Sequence, residues 1–210
     1  MTINLKIKPQ FLLIWLFHIS AIIGITLGYA DWFLPKTPLN LMIILIIMLF
    51  SYKLINIKNL IAFLIISLFG FSVEVLGVNY AWFFGEYAYG NNFGYRFLGV
   101  PVLIGINWAI LSLTSYTIIS KYIKNKWVKA GIASLLMLSL DYLMEFTAPR
   151  FDFWEFENNT VPFRNYASWF MFAYLFMLLC DFLKVKGSFR TSAHVFGVQF
   201  LFFMYFYVYF

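Results

Sequence analysis

Seven apolar segments, each long enough or nearly long enough to cross a bilayer as a helix, fill most of this chain of 210 residues. The hydrocarbon core of a membrane is about 30 Å thick, and an α-helix crosses it in about 20 residues. Helices are the expected spanning elements because they pair their own backbone polar groups. We place the segments at Phe11–Ala30, Leu39–Ile55, Leu60–Val78, Val100–Ser120, Val128–Phe146, Tyr166–Leu183 and Ser192–Phe210.

The composition excludes a soluble domain, because 63% of the residues are hydrophobic and only 11% are charged. We predict an all-α fold, a polytopic helical transmembrane bundle that occupies residues 1–210 as one integral-membrane domain. The net charge of +6 does not indicate nucleic-acid binding, since the cations lie in short loops between the apolar segments. The single Cys180 excludes an internal disulfide. With only two histidines in addition, we expect no bound metal and no other cofactor.

The basic residues are distributed unevenly between the two sides of the predicted bundle. Eleven of the 15 lysines and arginines fall on the side that holds the N-terminus. The other side holds Lys36, Arg96, Arg150 and Arg164. The positive-inside rule therefore predicts a cytoplasmic N-terminus and an outer C-terminus. We expect an integral protein of the bacterial cytoplasmic (inner) membrane, in contact with membrane lipid.

Three acidic residues lie inside the predicted spans. Glu74 is about one turn below the outer end of the third span. Asp141 and Glu145 lie in the last two turns of the fifth span, four residues apart and thus on one helix face. Ionisable groups inside a membrane are costly, so their default interpretation is functional. The competing interpretation pairs them with arginines of the outer loops. A further acid at the inner end of the sixth span, Asp181, is expected to pair with Lys184.

Two long outer loops, residues 79–99 and 147–165, are rich in aromatic side chains. Loops of this length in a compact bundle are expected to cap a functional site or to re-enter the membrane. Each follows a span with an acid, and each is followed by Val-Pro, Asn and Trp, which indicates a weak internal duplication. The candidate substrate-binding residues in and after these loops are Tyr87, Tyr89, Trp108, Asn107, Trp154, Asn165 and Trp169.

Carboxyl, amide and aromatic side chains in an apolar cavity suit acid–base chemistry on a lipid-soluble substrate. A carboxyl group deprived of water tends to keep its proton, which it can give to a carbon–carbon double bond. Aromatic ring faces stabilise the resulting cation, and a second carboxylate can orient the water that captures it. We assign Asp141 as the proton donor because it lies deeper, and Glu145 as the residue that orients the water. Glu74 can take either role.

The residues around these acids resemble a known family, the CruF-type carotenoid biosynthesis membrane proteins. Glu74, "FGEYAYG", "GVP" and Trp108 resemble its first half, and "DYLMEFTAPRFDFW" with "VPFRNYASWF" resembles its second half. The resemblance covers roughly residues 72–170. It implies a carotenoid 1,2-hydratase, which adds water to the terminal C1–C2 double bond of an acyclic end group without a redox cofactor. The family commonly has Glu-Pro where this chain has Glu145-Phe146, and the proline comes later, at Pro149.

Other functions remain open from the residues themselves. A carotenoid end-group cyclase would form the same cation and close a ring. A prenyltransferase dependent on magnesium is disfavoured, because Asp141-x-x-x-Glu145 has no second aspartate-rich motif beside it. A proton-coupled transporter or a carotenoid-binding membrane protein would use the same acids without catalysis. The expected partners are a carotenoid substrate and other enzymes of the carotenoid pathway, with no nucleic acid.

Overall fold

The chain is a helical bundle with a small cap of strands at one end, in a computed structural model that describes residues 9–52 and 56–210. The helices of the described part are α1 (Pro9–Thr26), α2 (Ala30–Phe33), α3 (Thr37–Ser51), α4 (Ile57–Tyr80), α5 (Val102–Ser120), α6 (Lys126–Thr147), α7 (Phe163–Leu183) and α8 (Phe189–Tyr209). The predicted all-α polytopic bundle is confirmed. The predicted end of the second span at Ile55, and Lys6, Lys8 and Lys53 of the charge count, lie outside the described residues.

Six stretches of the described chain are long and apolar enough to cross a membrane. They are α1, the stretch Ala30–Ser51 that combines α2 and α3, and the helices α4, α5, α6 and α8. Helix α7 has 21 residues and corresponds to the predicted sixth span, but it is not among these six. It carries Arg164 and Asn165 in its first turn and Asp181 in its last. The seven long helices therefore match the seven predicted segments one to one.

Several helices begin earlier than the apolar segments do, because polar caps start them. Asn56, Asn125 and Ser188 each accept a hydrogen bond from a backbone N–H group two or three residues later. Such caps satisfy N–H groups that have no partner within the helix. Helices α4, α6 and α8 consequently start two to three residues before the predicted spans. The hydropathy pattern does not predict this first turn, because its residues are polar.

The two aromatic loops form a cap of four short strands. Strand β1 (Tyr87–Tyr89) pairs antiparallel with β4 (Trp154–Phe156), and β2 (Arg96–Phe97) pairs with β3 (Val100–Pro101). The β1–β4 pair joins the loop after α4 to the loop after α6. Tyr87, Tyr89, Trp154 and Phe156 alternate along their strands with the exposed Ala88 and Glu155. The cap therefore turns its aromatic side chains toward the bundle.

Helix α5 is the central helix, since it packs against α3, α4, α6, α7 and α8. It also pairs closely with α4, and α6 pairs in the same way with α7. These two hairpins contain the repeated sequence pattern. The two tryptophans at equivalent positions of this pattern are in contact. Trp108 of α5 stacks on Trp169 of α7 with ring centroids 3.8 Å apart. Equivalent parts of the two hairpins thus contact each other both in the cap and below it.

The prediction that Asp181 pairs with Lys184 is wrong. Its carboxylate forms an ion pair with Lys129 of α6 and accepts a hydrogen bond from the Tyr116 hydroxyl at 3.3 Å. Lys184 adopts a left-handed conformation, with φ of 54°, that ends helix α7. The side chain three residues later is therefore not on the helical face that the spacing rule assumes. The ion pair links the start of α6 to the end of α7.

The cation distribution leads to a testable orientation. A reporter that is active only outside the cytoplasm, fused after Phe210, should be active because the more basic loops are retained inside. The same reporter inserted between α5 and α6, within the basic stretch Lys121–Lys126, should be silent. Activity at the internal position together with silence at Phe210 would reverse the assignment of sides.

Candidate active site

Glu74 of α4 is buried and holds its carboxylate against three hydrogen-bond donors. The hydroxyls of Tyr87 and Tyr89 donate to Oε2 at 2.5 and 2.8 Å. The indole Nε1 of Trp108 donates to Oε1 at 2.9 Å. Two of these donors come from strand β1 and one from α5, so the cap and the bundle meet at this acid. Donors of this kind stabilise a carboxylate in place of water.

Two glycines on the same face of α4 allow these donors to approach Glu74. A Cβ at Gly70 would lie 2.8 Å from the Cβ and Cγ atoms of Trp108. A Cβ at Gly77 would lie 2.7 Å from the Tyr87 hydroxyl and 2.8 Å from the Phe84 ring. Residues 70, 74 and 77 share one helical face by their spacing. These glycines were not predicted as site residues, although their spacing around Glu74 was the signal that could have found them.

Glu145 of α6 is also buried and receives two hydrogen bonds. The Trp154 indole Nε1 donates to Oε2 at 2.7 Å, and the Asn165 amide donates to Oε1 at 3.0 Å. Trp154 belongs to strand β4, and Asn165 lies in the first turn of α7. Glu145 therefore accepts from one donor of the cap and one donor of a helix, whereas Glu74 accepts from two donors of the cap and one of a helix.

The arginines of the two aromatic loops do not neutralise these acids. Arg96 donates to the Tyr89 carbonyl and to the Asn91 side chain, and Arg150 donates to the Phe146 carbonyl. Within residues 9–52 and 56–210, the ion pair of Lys129 with Asp181 is the one that forms. The interpretation of the intramembrane acids as partners of arginines is therefore wrong.

Asp141 differs from both glutamates. It is fully buried, and neither carboxylate oxygen has a hydrogen-bond partner among the described residues. It lies one turn before Glu145 on the same face of α6. Burying an ionised carboxylate without a partner is far more costly than burying a neutral one. The three acids thus lie at one end of the bundle, two with donors and one without.

A small cavity of about 10 Å³ separates the two glutamates. It is lined by Glu74, Phe84, Tyr87, Tyr89, Ile104, Asn107, Met144, Glu145, Trp154, Phe156, Asn165 and Trp169. This volume is about what one water molecule needs. Of the predicted substrate-binding residues, all but Trp108 line the cavity. Trp108 contacts two of the lining residues, Glu74 by a hydrogen bond and Trp169 by ring stacking. Asp141 does not line it.

A larger cavity of about 430 Å³ lies beside the first. Its walls come mainly from apolar side chains of α1, α3 and α8 and of the segment between α1 and α3. Asn107 and Met144 line both cavities and therefore form a shared wall between them. No functional role was predicted for the first three helices. Their contribution has no local motif, since apolar side chains on a membrane helix serve equally for lipid contact and for a cavity wall.

Comparison with known proteins identifies the family of this chain. The family described as "Carotenoid biosynthesis protein" matches residues 37–210. The chain belongs to this family. A curated relative, the bisanhydrobacterioruberin hydratase of Haloarcula japonica, is 27% identical over 139 residues. The match covers 62% of this chain and 47% of the relative, so the chain spans about half the length of that protein. No solved structure matches.

Within this carotenoid biosynthesis protein, the cap tyrosines are permanent hydrogen-bond donors. Burial raises the pKa of Tyr87 and Tyr89 well above the usual range for tyrosine, and the nearby Glu74 carboxylate raises it further. Both hydroxyls therefore keep their protons at neutral and moderately alkaline pH. In residues 9–52 and 56–210, no group of three or more His, Cys, Asp or Glu side chains is arranged to hold a metal ion. A reaction without a metal stays a prediction.

Gly77 offers a test of the approach of the cap to Glu74. Gly77→Ala should displace Tyr87 from the carboxylate, because the new methyl group would meet the hydroxyl at 2.7 Å. Overpacking of this kind costs about 1–3 kcal/mol, so the melting temperature in detergent should fall. Gly131→Ala in α6 is the matched control, since its nearest contact would be 3.9 Å away. Equal behaviour of the two variants would contradict the close approach.

Proposed function

We propose that this protein is a carotenoid hydratase that adds one water to the terminal C1–C2 double bond of an acyclic end group. The product is a tertiary alcohol. The observation that carries the proposal is a cavity sized for one water between Glu74 and Glu145, with an apolar cavity on the other side of Asn107 and Met144. The family and the hydratase relative support a carotenoid substrate.

The reaction begins with the transfer of a proton to the substrate. Asp141 receives no hydrogen bond that would stabilise a negative charge, so it is the carboxyl group that holds the proton. Transfer to C2 leaves the positive charge on C1, where three carbon substituents stabilise it. Asp141 does not line the small cavity in this conformation. The proposal therefore requires its side chain to turn toward Glu145 when the substrate binds.

The cation is stabilised and then captured by the other two acids. In this proposal the Glu74 carboxylate, whose oxygens accept three hydrogen bonds that favour the ionised form, places a negative charge beside the cation, together with the ring faces of the cap. Glu145 orients the water, and as the water oxygen bonds to C1 the carboxylate takes its proton. That proton returns to Asp141, one helical turn away, so the acid and the base are both restored.

Expression in cells that make lycopene, followed by mass analysis of the pigments, tests this function. A hydratase yields a pigment heavier by one water, whereas a cyclase yields a pigment of unchanged mass. Cells with the empty vector are the control. Unchanged pigments in cells that contain the folded protein would count against both enzymes. We propose that the protein acts in the cytoplasmic (inner) membrane, among membrane lipids and other enzymes of the carotenoid pathway.

A further inference from the structure

A third cavity, of about 790 Å³, lies between α6, α7 and α8 at the end of the bundle that carries the cap. Six of its nine lining residues carry a hydroxyl, carboxyl, amide or guanidinium group, so we call it the polar cavity. The lining consists of Tyr142, Glu145, Phe146, Pro149, Arg150, Asn159, Val161, Tyr166 and Tyr207. The cavity of about 430 Å³, by contrast, has mainly apolar walls.

The polar cavity is open to the surface through the loop that follows α6. Pro149, Arg150 and Asn159 of this loop line the cavity and are exposed. Arg150 is held there by a hydrogen bond of 2.8 Å to the Phe146 carbonyl. The opening therefore carries a fixed positive charge and an amide group, both of which attract water.

The three helices each contribute one tyrosine to the polar cavity. They are Tyr142 of α6, Tyr166 of α7 and Tyr207 of α8. The ring centroid of Tyr142 lies 6.0 Å from that of each of the other two. Water occupies a cavity in a protein when the cavity is roomy enough and offers two to four polar partners for each molecule. The polar cavity meets both conditions.

Glu145 links the polar cavity to the small cavity of the active site. Of the described residues, it alone lines both. Its hydrogen bonds from Trp154 and Asn165 occupy two of the roughly four acceptor positions of a carboxylate. The other positions are available to water. Glu74 lines the small cavity but not the polar one.

We propose that the polar cavity is the route by which water enters the active site, and that each water passes along the Glu145 side chain into the small cavity. This inference rests on the proposed function, because hydration consumes one water for each product. The small cavity of about 10 Å³ holds about one water, which must be replaced in every turnover. The cavity of about 430 Å³ is the poorer route, since apolar walls offer water few partners.

Cysteine labelling tests this route without turnover. Glu145→Cys and Glu74→Cys each replace a buried glutamate that lines the small cavity. The native Cys180 is fully buried, so the parent chain is the blank. The probe is a methanethiosulfonate with a sulfonate group, which does not dissolve in lipid, applied to the purified protein in lipid nanodiscs. Labelling after unfolding in detergent verifies that each new thiol is free.

We expect Glu145→Cys to react at least about tenfold faster than Glu74→Cys, because the reactivity of a thiol follows its access to water. The polar cavity is the feature that distinguishes the two positions. Equal rates, a faster reaction of Glu74→Cys, or no reaction of Glu145→Cys overturns the proposal.

A second variant tests the route by blocking it and does not depend on the folding of the glutamate variants. Val161 lines the polar cavity, whereas Val208 near the end of α8 is 76% exposed and does not line it. The same reagent on Val161→Cys should remove most of the hydration that this variant shows before labelling. A reductant that releases the label should restore it, which excludes misfolding as the cause. The same label on Val208→Cys should leave hydration unchanged. Full labelling of Val161→Cys without loss of hydration, or a thiol that does not react, overturns the proposal.

The outcome is separable from that of the proposed function. Selective labelling of Glu145→Cys, in a protein whose parent hydrates no carotenoid, supports the water route and removes the hydration. Hydration by the parent, together with a Glu145→Cys variant that does not react, does the reverse.

Discussion

Asp141→Asn should abolish hydration while leaving a folded protein in the membrane. Asparagine nearly preserves the shape of the side chain but has no acidic proton to give to C2. General acid–base groups contribute about 10²–10⁴-fold to rate, so we expect the hydrated pigment to fall by that factor. Reaction in D₂O adds a second measurement, because the parent enzyme places a deuteron on C2 and this variant should place none.

The control for this variant is Asp31→Asn, the same change at an exposed acid in the short helix α2. It should hydrate at the parent rate. Melting curves in detergent show whether Asp141→Asn is folded. A folded Asp141→Asn protein that hydrates at close to the parent rate would make Asp141 a structural residue, and the donor role would pass to Glu74.

Glu145→Gln should separate the two halves of the reaction. Glutamine keeps the approximate shape that Trp154 and Asn165 contact, but it cannot take a proton from water. We expect a loss of hydrated pigment of about 10²–10⁴-fold. Protonation of the double bond by Asp141 remains possible, and the cation then returns to an alkene by losing a proton. In D₂O, the recovered substrate should therefore contain deuterium although little of it is hydrated.

Glu155→Gln is the matched control, since Glu155 is the exposed middle residue of strand β4, beside Trp154. It should both hydrate and incorporate deuterium as the parent does. Hydration at the parent rate by a folded Glu145→Gln protein would refute the assignment of Glu145 to the water. Loss of deuterium together with hydration would instead place Glu145 in the protonation step.

The three acids could be predicted as functional residues from the sequence, because ionisable side chains inside membrane spans are costly. Glu74, Asp141 and Glu145 stand out against apolar helices, and their positions near the outer ends of two spans follow from counting residues. The length and composition of the aromatic loops predicted that they cap a functional site or re-enter the membrane. The contacts of these loops were not evident. Their composition is the same whether residues such as Tyr89 and Trp154 face lipid, a cation or a carboxylate.

The sequence by itself determined the helical bundle, the end of the bundle at which the acids lie and the loops beside them, because hydropathy and residue counting act along the chain. The tertiary structure alone decided which acid has donors. Trp108 reaches Glu74 across 34 residues of sequence, and the pairing of β1 with β4 brings residues from the two hairpins together. It also decided that the first three helices help enclose an apolar cavity of about 430 Å³. Hydrogen bonds between distant residues depend on packing geometry, which no local pattern in the chain specifies.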